Sequence, residues 1–146
     1  MRRDFTTMVV GAAIVWLGLS VRAQGGDQFK ARLSPVPVEA ATLAGITGSG
    51  SVTAALAGTR LTITGTFEGL RTPATVVRVH NGMKGVRGPA MFDLAVSKAT
   101  SGTIGGMLTL NPTQVRELRN GRFYVQLHSE KAPEGNLWGW LVPQER

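Results

Sequence analysis

The chain has 146 residues, no cysteine, 19 glycines, and 16 basic against nine acidic residues, a net charge of +7. That length suits one domain, and the glycine content favours many turns over long helices. Lack of cysteine excludes a disulfide framework, a thiolate ligand, a cysteine nucleophile and lipid attachment at cysteine, so the fold must rest on its own apolar core.

The first elements are those of a leader. Arg2, Arg3 and Asp4 are followed by an uncharged stretch from Phe5 to Val21, with an apolar run from Met8 to Leu19. Val21-Arg22-Ala23 is a small-residue cleavage site, so residues 1–23 read as a helical secretory signal peptide. The run is short for a bilayer span. Arg2-Arg3-Asp4-Phe5 resembles the start of a twin-arginine signal, although two arginines also suit the general secretory route, which is the expectation here. The protein is therefore expected to be exported, to the periplasm or the extracellular space, with no stable membrane span after cleavage. Removing residues 1–23 leaves 13 basic and eight acidic residues, a net +5. That balance favours anionic surfaces weakly and does not point to nucleic acid.

Residues 24–28 read as a flexible lead-in and 29–143 as the domain. Phe29 to Leu33 alternates as a strand and ends at Pro35 and Pro37, which cannot donate to a ladder. Ala40 to Gly50 is small and uncharged, a loop; its glycines lack the Lys-Ser/Thr ending of a phosphate loop. Strands follow at Ser51–Leu56 and Arg60–Phe67, the latter with Leu61, Ile63 and Phe67 on one face and three threonines on the other. Val76–His80 is a strand with Arg78 and His80 outward. Asn81 to Pro89 is a glycine-rich basic loop, and Ala90–Val96 and Gly102–Leu110 are two more strands. A two-turn helix fits between Asn111 as cap, Pro112 at its first position and Gly121 at its exit, with Val115 and Leu118 buried and Arg116 and Arg119 wet. Phe123–His128 alternates cleanly, Ser129 to Gly135 reads as a longish loop, and Leu137–Val142 is a second strand pairing back as a hairpin. Seven or eight short strands at close spacing predict an all-β antiparallel two-sheet sandwich of Ig-like or Greek-key type with one short helix.

Several of these segments fall in the order of one known family. Tyr124-Val125-Gln126-Leu127-His128-Ser129, then Pro133, Gly135 and Gly139-x-Leu141, resembles the closing signature of the CHRD domain, named after chordin. Phe29-x-Ala31-x-Leu33 is similar to its opening, Leu61-Thr62-Ile63-x-Gly65-Thr66-Phe67-x-Gly69-Leu70 to its central strand, and Val79-His80-Asn81-Gly82 with Gly85, Gly88 and Pro89 to its histidine-bearing strand and loop. The likeness runs from about Phe29 to Leu141 and is that of a bacterial exported member. It implies an extracellular β-rich module and no reaction. The chain departs from the family where Arg78 replaces a histidine, Gln126 an asparagine, and Asn136, Trp138 and Trp140 replace polar residues.

Alternation gathers Arg78, His80, Tyr124, Gln126, His128, Trp138 and Trp140 on one outer face, provided their three strands are neighbours. Two tryptophans at i and i+2 would then make an apolar platform for a sugar ring or a protein partner, or would pack under the Ala40–Gly50 loop or the N-terminal segment. The expected function is a non-catalytic binding or structural module, its partner an envelope or extracellular protein or a glycan. The alternative is a copper or zinc site, or a redox module, using His80 and His128; Arg78 would repel the cation. No cofactor is expected otherwise. The run Arg71, Arg78, Lys84, Arg87 contains no acid and reads as a solvated basic loop or an anion-attracting one. There is no nucleophile elbow, no H-E-x-x-H and no partner by spacing for either histidine, and Glu130 and Glu134 share one wet loop, so an enzyme is not expected.

Overall fold

The computed structural model describes residues 26–37 and 43–145. The expected signal peptide, residues 1–23, the first residues of the lead-in and part of the Ala40–Gly50 loop lie outside the described residues. The rest forms nine strands and one α-helix: β1 (Asp27–Pro35), β2 (Ser49–Ala57), β3 (Arg60–Glu68), β4 (Ala74–Asn81), β5 (Ala90–Val96), β6 (Gly102–Thr109), α1 (Pro112–Arg119), β7 (Phe123–Ser129), β8 (Ala132–Trp140) and the two-residue β9 (Val142–Pro143). Asn111 caps α1 with a full capping box to Gln114, and Leu118 is its buried residue.

The all-β class and the short helix hold, but the two-sheet sandwich does not. The strands close into one antiparallel eight-stranded barrel, in the order β1-β2-β3-β6-β5-β4-β7-β8 and back to β1. Two strands that turn corners make the closure. β1 pairs with β2 from Asp27 to Leu33, then its last residues, Ser34 and Pro35, pair with Trp138 and Leu137 of β8. β5 pairs with β4 as far as Leu94, then Ala95 and Val96 pair with Gly105 and Ile104 of β6. Pro35 therefore closes the ring rather than ending the strand before it. Asp27 and Gln28 belong to β1, not to a loose lead-in, and Asp27 is tied to Arg119 of α1 at 2.8 Å.

Period-two alternation fills the barrel. Phe29, Ala31 and Leu33, Val52, Ala54 and Leu56, Leu61 and Ile63, Val77 and Val79, and Phe123, Val125 and Leu127 all face one core. At eight strands the interior is just wide enough for side chains to fill. Leu110 and Leu118 extend that core at the α1 end, and Phe67, Leu70 and Ala74 at the other. Gly139 sits at the seam where β8 meets β1, its α-carbon so near the Arg32 carbonyl that a β-carbon there would collide with it.

The hairpin between β7 and β8 also differs from expectation. The turn is two residues, Glu130 and Lys131, with Ser129 paired to Ala132. The next pair along is Leu127 with Leu137, so His128 alone faces Pro133 to Asn136. What reads as a long loop in the sequence is a short turn followed by a wide bulge in β8.

Candidate functional site

The register brings the singled-out residues onto one surface. Across β4, β7 and β8, His80, Tyr124 and Trp140 form one row, and Arg78, Gln126 and Trp138 the next. His128 is opposite Val76, one row further. His80 stacks on Tyr124 with ring centroids 4.8 Å apart, and Tyr124 meets Trp140 at 4.5 Å and Trp138 edge-on at 5.8 Å. With Val36 these aromatics make a second apolar cluster outside the barrel.

That face is outward but not open. Tyr124 is fully buried, Gln126 is 3% exposed, and His128, Trp138 and Trp140 are 8% exposed each. Of the two arrangements expected for Trp138 and Trp140, an open platform or packing beneath a segment, the second holds: both lie in a covered cluster. Two segments make the cover: the loop 82–89 and the bulge 133–136. The outward polar atoms hold them there. Tyr124 Oη accepts from Gly88 N at 2.8 Å and donates to Gly88 O at 3.2 Å. Trp140 Nε1 donates to Gly82 O at 3.0 Å. His80 Nδ1 lies 2.9 Å from Gly88 O, His128 Nδ1 2.8 Å from Pro133 O, and Gln126 Nε2 2.9 Å from Glu134 O. Arg87 links the two segments by donating to Glu134 O at 3.0 Å. Gly135 has a φ of +133°, and a β-carbon on it would collide with the Gln126 amide, so the bulge requires glycine there.

A carbonyl can only accept, so both histidines carry a proton on Nδ1. Their Nε2 atoms are buried without a hydrogen-bond partner, as are Ser129 Oγ and Asn136 Oδ1. Burial holds the His128 pKa below 6.5; the bond to Pro133 opposes this, and the nearby charges of Arg78, His80 and Arg87 add to it. Four residues along the strand direction separate the rows of the two rings, about 13 Å, with Arg78 and Gln126 between them. Arg78 is half-exposed and engaged by Asp93 at 2.9 Å. No group of three His, Cys, Asp or Glu residues is arranged to hold a metal ion among the described residues.

Beside the cover run two open clefts. One, of about 370 Å³, is lined by Lys30, Arg32, Ser34, Lys84, Trp138 and Trp140 among others. The other, of about 510 Å³, shares Lys84, Trp140 and Val142 and adds Met83 and Arg122. Sequence reading missed Lys30, Arg32, Val36 and Asn136. Lys30 and Arg32 had a signal: they are the outward residues of β1, but only closure against β8 brings them to the tryptophans. Asn136, fully buried and bonded to Thr47 O, registers in the sequence only as a departure from the family pattern.

The CHRD domain model matches residues 29–141. No curated protein matches the chain, and no solved structure does. The match runs from Phe29 within β1 to just past the end of β8, including both histidines, the cover loop and the bulge. No described helix is long and apolar enough to cross a membrane. With the family pattern present along the whole barrel, the chain belongs to the CHRD domain family.

Proposed function

We propose that this protein is an exported, non-catalytic binding module acting at the cell envelope or outside the cell, with a protein or glycan partner. One observation carries the reading. The residues whose chemistry would suit catalysis, His80, Tyr124 and His128, use their polar atoms to pin the backbone of the cover at Gly88 and Pro133. A segment fixed at many points from below presents a surface of one shape, and preorganisation of that kind lowers the entropic cost of binding. The candidate binding surface is the outer side of the cover together with the clefts along its edge.

The test is capture of envelope and extracellular glycans and proteins on the immobilised mature chain, with chelator present throughout. Saturable binding of one ligand is expected. Tyr124→Phe keeps the ring but releases Gly88, so it should weaken that ligand several-fold at a stability cost of about 1–2 kcal/mol. A ligand turned over by the protein would overturn the reading, as would binding indifferent to Tyr124→Phe.

A second reading, a copper or zinc module, draws on the two bare Nε2 atoms. A histidine that gives its Nδ1 proton to a carbonyl is oriented as metal ligands are. With no third His, Cys, Asp or Glu grouped with them among the described residues, an ion held by either histidine would need further ligands. Stoichiometric copper or zinc in the gently purified protein, with ligand binding lost on chelation, would favour this reading over the first.

A further inference from the structure

We propose that the cover loop and the adjoining rim of β1 and β9 form a peripheral docking surface for a lipid bilayer with anionic headgroups. Two independent features meet there. The described residues include five large apolar side chains that are plainly exposed: Leu43, Met83, Val86, Met107 and Val142. Three of them share this rim. Met83 and Val142 line one cleft with Lys84 and Arg122, and Val86 is held to Met83 by a turn bond of 2.8 Å from its N–H.

The same rim is basic. Lys30, Arg32 and Lys84 line the neighbouring cleft, and none has an ion-pair partner among the described residues. Arg87 is bonded to a backbone carbonyl, not to a carboxylate. Arg122 lies 3.9 Å from Glu117, which itself is bonded by Asn81. Neither cleft has a carboxylate in its lining; Glu134 belongs to the bulge and lines a separate pocket with Arg87.

Aliphatic tips alone insert too little to hold a domain at a membrane, and cations alone adsorb only until salt screens them. Joined on one surface, the two contributions add, and stable peripheral attachment usually needs two such signals. Lysine and arginine stems can lie along the apolar side chains with their charges at the headgroups. The covered aromatic cluster gains a purpose here. It holds residues 83–87, all exposed, in one fixed shape, so that little order is lost when they meet the lipid. The inference stands on exposure and charge; the surface is the one assigned above to the captured partner, so bilayer and partner would compete for it.

The test is flotation of residues 24–146, which carry the whole barrel and none of the apolar leader, with vesicles of phosphatidylcholine alone or with about a third phosphatidylglycerol. Binding is expected only to the anionic vesicles. Lys84→Glu reverses one charge and should weaken it by about 25-fold, two steps of about fivefold each. The double variant Met83→Ser, Val86→Ser should lose most of the binding that persists at ~0.15 M salt, where screening is strong. All three positions are exposed, so the unfolding midpoint should hold and a binding loss reports the surface. Equal binding to neutral vesicles overturns the proposal. So does binding that ignores the double variant, which would be charge adsorption alone. A soluble acidic polysaccharide bound in a Lys84-dependent manner, with no vesicle binding, assigns the rim to that ligand instead.

Discussion

His128 shows how an outward residue becomes structural. Alternation correctly turns it away from the barrel core, yet it is 8% exposed because β8 arches over it. Its ring donates to Pro133 O and leaves Nε2 dry. A second proton would have to sit on that dry atom, near Arg78, Arg87 and His80, and burial is the main reason its pKa falls below 6.5. The unfolded chain takes up the proton at about 6.5, where the folded chain does not. Stability from this group is therefore complete above pH 6.5 and is lost as pH drops through the lower folded value. Urea midpoints should fall between pH 7 and 5 in the native sequence, and the fall should be shallower in His128→Gln. Parallel slopes for the two proteins would mean that this ring does not govern the acid response. Nothing in the sequence around His128 announces the cover, because Pro133 and Gly135 punctuate a loop and a bulge alike.

At the scale of elements, strand identity was plain from the residues and strand partnership was not. Period-two runs mark β1 to β7 to within two residues at their ends, and Asn111, Pro112 and Gly121 mark α1, whereas β8 begins at Ala132, inside the segment that reads as a loop. Alternation says which face of a strand is apolar; it says nothing about which edge meets which neighbour. The clue to closure is Gly139, which lets β1 approach β8 where Ser34 meets Trp138. Adding one methyl there drives a β-carbon into the Arg32 backbone and against Leu33. Gly139→Ala should cost about 3 kcal/mol, since overpacking against a backbone is poorly relieved. Gly58→Ala makes the comparison: its φ is +62° with open space around it, so the cost should be about 1 kcal/mol of backbone strain alone. Thermal unfolding of the pair checks this, and equal losses would show that the seam tolerates the methyl.

For the whole molecule, a barrel and a sandwich make opposite statements about β1. In a sandwich an edge strand can be lost while the facing sheet keeps its ladder. In this closed ring β1 joins β2 on one side and β8 and β9 on the other, and it places Phe29, Ala31 and Leu33 in the core. Removing residues 26–35 would open the ring, uncover the edges of β2 and β8, and withdraw three core side chains together. Free edges of that kind pair with other chains. It would also strip Lys30 and Arg32 from the basic rim and leave Trp138 without its strand partner Ser34. The shortened chain should show no cooperative urea transition and should elute as aggregates in size-exclusion chromatography. A monomer that still unfolds in one sharp step would mean that the ring is not the stabilising unit, and that β2 to β8 hold as an open sheet. The same closure explains why the site was half legible: the residues that meet on its face come from β1, β4, β7 and β8, far apart in the chain, and only the ring makes them neighbours.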